Sequence, residues 1–165
     1  MLRSLALTMA LIAAPLAAKD SLGVYSEWAA FRDADIPRCY AIAQSAVRAA
    51  RGERGAAQGY ASIGTWPSRN VRGQVHLRLS RVLASDARVR LTVGTRRFDL
   101  IASGQDAWAK DKAMDAAVIA AMRSATRMSV SATAADGSRF TDRYALEGAA
   151  TAMDAALVGC ASTQG

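Results

Sequence analysis

Met128-Ser129-Val130-Ser131-Ala132-Thr133-Ala134-Ala135-Asp136-Gly137-Ser138-Arg139-Phe140-Thr141-Asp142-Arg143-Tyr144-Ala145-Leu146 is the stretch that commits the chain to an architecture. It reads as two strands, Met128 to Ala134 and Arg139 to Leu146. Asp136-Gly137 lies between them, and Asp-Gly readily takes the positive φ angles of a tight hairpin turn. A hairpin implies antiparallel pairing, so the sheet to which it belongs is read as antiparallel.

Upstream, apolar residues recur with a period near two, which predicts strands at Tyr25 to Arg32, Cys39 to Val47, Tyr60 to Trp66, Gln74 to Leu83, Arg88 to Val93 and Arg96 to Ala102. In the fourth run Val75, Leu77 and Leu79 face one side, while His76, Arg78 and Ser80 face the other. In the fifth, Val89, Leu91 and Val93 alternate with Arg88, Arg90 and Thr92. These two runs are expected to form a hairpin across Ala84-Ser85-Asp86. Arg48 to Gly59, with Gly52 and Gly55 among charges, reads as an exposed loop, and Pro67, Ser68 and Asn70 end the third strand.

The period changes to helical between Asp111 and Ala125. Met114, Val118, Ala121, Met122 and Ala125 fall three or four apart, and Asp111 can cap the N-terminus. A last helix from about Gly148 to Val158 puts Ala149, Met153 and Leu157 on one face and is expected to stop at Gly159, with Cys160 just beyond. The predicted fold is α+β, mainly an antiparallel sheet or sandwich with two helices in the C-terminal half.

The N-terminus reads as a secretory signal peptide over residues 1–18. Arg3 supplies the charge, Leu5 to Ala14 the apolar run, Pro15 the break, and Leu16-Ala17-Ala18 the cleavage segment before Lys19. The run is shorter than the about 20 apolar residues that span a bilayer. Residues 19–165 then form one domain, of a size that can bury a real core. No later stretch is long and uncharged enough to cross a membrane. The expected location is the periplasm or the outside of the cell. In such a compartment Cys39 and Cys160, the only cysteines, are expected to be bridged.

Against 14 Asp plus Glu stand 21 Lys plus Arg, a formal net charge of +7. That balance favours anionic partners: an envelope polymer, lipid or protein. Nucleic acid is disfavoured, because export removes the protein from the genome and the basic strands lack interleaved stacking aromatics. Trp28, Trp66 and Trp108 are read as core or sheet-edge residues.

Catalytic chemistry finds little support. His76 is the only histidine, and Ser80 lies too far along an extended strand to bond it. One His with two bridged Cys cannot build a usual zinc site. Asp111 and Asp115 read as a cap and solvated surface. Gly52 and Gly55 lack the Lys and the helix of a phosphate loop. The pairs Asp33 with Asp35 and Asp142 with Glu147 are the remaining candidates for acid chemistry. No catalytic residue, metal or cofactor is therefore assigned. The constellation singled out is His76, Arg78, Arg88 and Arg90, expected together on the outer face of one hairpin as an anion-binding surface. Arg48, Arg51, Arg54, Arg69, Arg72, Arg96 and Arg97 could extend it. Local ion pairs to Asp86 or Asp99 are the bland alternative.

Trp28, then Pro37-Arg38-Cys39-Tyr40, then Ala117-Val118-Ile119-Ala120-Ala121-Met122, and finally Tyr144 to Ala149 with Ala152 to Leu157, make the mature chain resemble the invasion-associated locus B family. The resemblance implies an exported alphaproteobacterial protein, predominantly β with helices near the C-terminus. It supplies no catalytic residues. Members tend to carry a Cys soon after the opening Trp, whereas this chain has Ala29-Ala30-Phe31-Arg32 and its second Cys near the C-terminus. Neither the family's bridge pattern nor an invasion role is therefore carried over. The reading is a non-catalytic binding protein. The alternatives are a small periplasmic hydrolase using converging carboxylates and an envelope chaperone or structural factor.

Overall fold

The computed structural model describes residues 19–33, 35–46 and 57–161. The signal segment and Arg48, Arg51 and Arg54 lie outside these residues. Among the described residues ten strands form one antiparallel sheet: β1 (Asp20–Tyr25), β2 (Trp28–Asp33), β3 (Arg38–Gln44), β4 (Tyr60–Trp66), β5 (Val71–Arg78), β6 (Val89–Val93), β7 (Arg96–Ser103), β8 (Asp106–Trp108), β9 (Arg127–Thr133) and β10 (Arg139–Ala145). Two helices, α1 (Lys112–Ser124) and α2 (Ala149–Ala161), complete the predicted α+β fold. No helix among the described residues is long and apolar enough to cross a membrane.

The 128–146 hairpin forms as read. Arg139 pairs with Thr133 and Ala145 with Arg127, and Gly137 turns the chain at φ 82°. Other expectations are corrected. Tyr25 to Arg32 is not one strand but the meeting of β1 and β2, turned at Ser26-Glu27 with Ser26 at φ 52°. The hairpin across Ala84-Ser85-Asp86 does not exist, since the strand order is β1-β2-β3-β4-β5-β8-β7-β6-β9-β10. β5 takes β4 and β8 as neighbours, while β6 takes β7 and β9. Three-residue β8 shows no periodicity in sequence, which is why its insertion between β5 and β7 was not read.

The alternation read in Val75 to Leu79 and in Val89 to Val93 holds, and it sorts the sheet into two faces. Val75, Leu77, Leu79, Val89, Leu91 and Val93 are all buried. Together with Ala41, Ile63, Val130 and Tyr144 they line the inner face, on which both helices pack. α1 contributes Val118, Ala121 and Met122, with Asp111 capping it by accepting the Met114 N–H at 2.8 Å. The sheet curls far enough for β10 to reach β2 and β3. The Trp28 indole N–H donates to the Ala145 carbonyl at 2.9 Å, and the Ala46 N–H donates to the Arg143 carbonyl at 2.7 Å.

α2 does not end at Gly159 but runs on to Ala161, placing Cys160 within the helix. Leu157, assigned to its apolar face, is 47% exposed. The predicted staple is present, joining Cys39 of β3 to Cys160 across a Cα–Cα distance of 5.6 Å. Gly148 opens α2 at φ 81°, and an added Cβ there would collide with the Tyr25 carbonyl oxygen.

Candidate functional site

Because both helices cover the inner face, the opposite face of the sheet is where alternate side chains remain available. Cross-strand pairing arranges them in rows. One row runs through Ala29, Ile42, Ser62, His76, Trp108 and Ile101, and the next through Gln44, Tyr60, Arg78, Asp106 and Ser103.

The four anion-binding candidates are on this face as alternation predicted, but not on one hairpin. β8 and β7 separate β5 from β6, which at about 4.8 Å per strand puts His76 and Arg78 about 14 Å from Arg88 and Arg90. They form two clusters.

In the first, Asp106 on β8 holds both members. Its Oδ1 is 2.9 Å from His76 Nε2 and its Oδ2 accepts from Arg78 Nη1 at 2.6 Å. Arg78 also donates to Gln105 at 3.1 Å. The His76 ring stacks on Trp108 with centroids 5.4 Å apart, so it is more enclosed than a freely solvated strand residue. In the second cluster Arg90 donates to Asp99 at 3.1 Å, the pairing foreseen as the bland alternative. Arg88 is exposed. Arg88 and Arg90 join Arg139, Asp86, Ser131 and Thr141 around an open groove of about 730 Å³. A row of like charges is thus interrupted by intervening acids, which removes the repulsion that adjacent arginines would cause.

Sequence reasoning missed a second groove, of about 420 Å³, over β3, β4, β5 and β8. Tyr40, Tyr60, Trp66 and Trp108 stand around it, with Ser62 and Gly64 between them. Trp28 is core as expected, but Trp66 and Trp108 are neither core nor edge residues. They lie half-buried on the outer face, Trp108 on a strand flanked by neighbours on both sides. Gly64 is what lets Trp66 lie down: a Cβ there would collide with the Trp66 indole. Lys19, Arg38 and Arg78 line the same groove, and among the described residues no carboxylate does. The Arg38 guanidinium sits 4.9 Å over the Tyr40 ring, and Tyr40 packs against Phe31 at 5.7 Å.

In each proposed acid pair one carboxylate is buried and the other exposed. Asp142 is buried within the core while Glu147 is exposed, and Asp33 is buried at the end of β2, accepting from Arg38 at 3.3 Å, while Asp35 is exposed. Asp115 is not merely solvated surface, for it accepts the Val75 N–H at 2.8 Å and ties α1 to β5. Burial raises its carboxyl above the usual range, against the lowering effect of that bond. Among the described residues no group of three His, Cys, Asp or Glu is placed to hold a metal ion.

The family profile described as "Invasion associated locus B (IalB) protein" matches residues 34–157. Among solved structures, the invasion associated protein B of Bartonella henselae is similar in fold, with a TM-score of 0.55 and 19% sequence identity over 86% of this chain and 96% of that one. None of the curated proteins compared matches the sequence.

Proposed function

The chain belongs to the invasion-associated locus B family, and from that premise we propose that it is an exported envelope or secreted protein that acts by binding an anionic partner through the outer face of its sheet. The observation that carries this reading is the division of labour between the two faces. Both helices pack on the inner face, and each groove described on the other is lined by several cations. Export is supported by the signal-like residues 1–18 and by the Cys39–Cys160 bridge, since structural disulfides belong mainly to oxidising compartments and are rare in the cytosol. A binding rather than catalytic role is supported by the burial of one carboxylate in each candidate pair, Asp33 and Asp142, while Asp35 and Glu147 are exposed.

One preparation tests both halves. Protein recovered from the envelope or medium is expected to begin at Lys19 and to carry the bridge by mass spectrometry. It should be retained on anionic supports at low salt and released at high salt. The variant combining Arg88→Gln, Arg90→Gln and Arg139→Gln should elute earlier. Full-length protein in the cytosol with free thiols, or equal retention on neutral and anionic supports, overturns the reading.

A further inference from the structure

We propose that the groove over β3, β4, β5 and β8 is a subsite for an acidic, carboxylate-bearing polysaccharide, with sugar rings lying on its aromatic side chains. The inference rests on the binding role proposed above and names the ligand class and the place.

Three features of the groove converge on that chemistry. The first is shape. Small residues Ser62 and Gly64 lie between Tyr40, Tyr60, Trp66 and Trp108, leaving a trough in the middle of an aromatic surround. Sugar rings present flat C–H faces that pack on aromatic rings, whereas their edges carry hydroxyls for polar neighbours, here Ser62 and Gln74. From β3 to β8 is three strand spacings, about 14 Å, enough for about three rings in a row.

The second is charge. Lys19, Arg38 and Arg78 line the groove, with no carboxylate lining it among the described residues. Asp33 and Asp106 pair with Arg38 and Arg78 but leave hydrogen-bonding capacity. Asp33 takes Arg38 at a long 3.3 Å, and both guanidinium side chains stay partly exposed. A guanidinium has five donors in a fork that suits a carboxylate.

The third is preorganisation. The Trp108 ring is held by stacking on His76, which Asp106 fixes in turn, and Trp66 is held flat over Gly64. Ordering these rings in advance lowers the entropy lost on binding.

The test is titration of the full chain with oligogalacturonate, cello-oligosaccharide, polyglutamate and phosphatidylglycerol vesicles, followed by tryptophan fluorescence and calorimetry. Oligogalacturonate should bind with a change in tryptophan emission, and cello-oligosaccharide about tenfold more weakly. Raising salt should narrow that gap. Trp108→Ala, Trp66→Ala and Arg78→Gln should each weaken oligogalacturonate binding about tenfold. Gly64→Ala provides a variant that displaces the Trp66 ring without removing a charge or an aromatic group, and should weaken it similarly. Melting curves confirm that each variant folds. Equal binding of polyglutamate, preference for the neutral glycan, or binding to vesicles alone overturns the proposal. If the tryptophan and Gly64 variants bind anions normally while the Arg88, Arg90 and Arg139 variant does not, this subsite falls and the broader anion-binding role stands. If no anionic probe is bound, both fall.

Discussion

At position 142 the chain places a carboxyl in the interior, 1% exposed, and satisfies it with hydrogen bonds from the Ser80 backbone N–H, at 2.9 Å, and side chain. Burial is the larger effect and raises its proton affinity, while the Ser80 bonds lower it. Tyr144, two residues on and on the same face, is pushed up by burial and then by the Asp142 charge. The folded pKa of Asp142 lies above the unfolded one, so the folded state binds the proton more tightly. The stabilisation linked to that proton is present at acid pH and is lost as pH rises through the folded pKa. Asp142→Asn keeps an acceptor for the Ser80 N–H and carries no charge. Its stability relative to the native protein is therefore expected to increase from about pH 3 to about pH 7, measured by denaturant unfolding. Parallel stability curves for the two proteins over that range contradict the account. Sequence marked Asp142 only as one half of a possible acid pair. Its burial depends on β10 curling back to residues 45–46 and 80, a contact that alternation along one strand cannot reveal.

Among the elements, α1 and the β9–β10 hairpin were the most legible, because each has its determinants within a few residues. Asp111 precedes a helical apolar period and caps the helix it introduces. Removing that cap in Asp111→Ala should destabilise the protein by about 1 kcal/mol, read as a lower denaturant midpoint; an unchanged midpoint means the Met114 N–H is equally satisfied by water. α2 was placed well but ended too early, since Gly159 sits inside the helix rather than after it. An added Cβ there would meet the Leu22 side chain at 2.5 Å, so a small residue is needed for packing against β1 instead of for termination. The two helices also share an ion pair, Arg123 with Asp154 at 2.6 Å, exposed enough to contribute about 1 kcal/mol or less. Strand faces were legible wherever the period of two was clean, and so His76, Arg78 and Arg90 were correctly sent outward. The neighbours of those strands were not legible. Placing β8 between β5 and β7 splits the expected cluster in two and creates the aromatic groove beside one half of it.

For the whole molecule, the bridge between Cys39 and Cys160 joins points 121 residues apart. α2 needs it, because three of the residues it buries are alanines, Ala149, Ala152 and Ala156, which remove little apolar surface from water. Reduction, or Cys160→Ser, should lower stability by about 2–5 kcal/mol, measured as denaturant midpoints with and without reductant. Identical midpoints show that the helix packs independently of the staple. By itself the sequence determined what is local: strand alternation, the Asp-Gly turn, the Asp111 cap, the charge balance, the signal-like start and the family. The pairing of two lone cysteines followed from compartment chemistry and also needed no coordinates. Only the tertiary structure decided which strands are neighbours, which face the helices cover, and therefore that Trp66 and Trp108 stand beside Arg38 and Arg78 on an open surface. Those outcomes are set by contacts between residues far apart in sequence, whose energies depend on the complete arrangement of the sheet and leave no periodic trace along the chain.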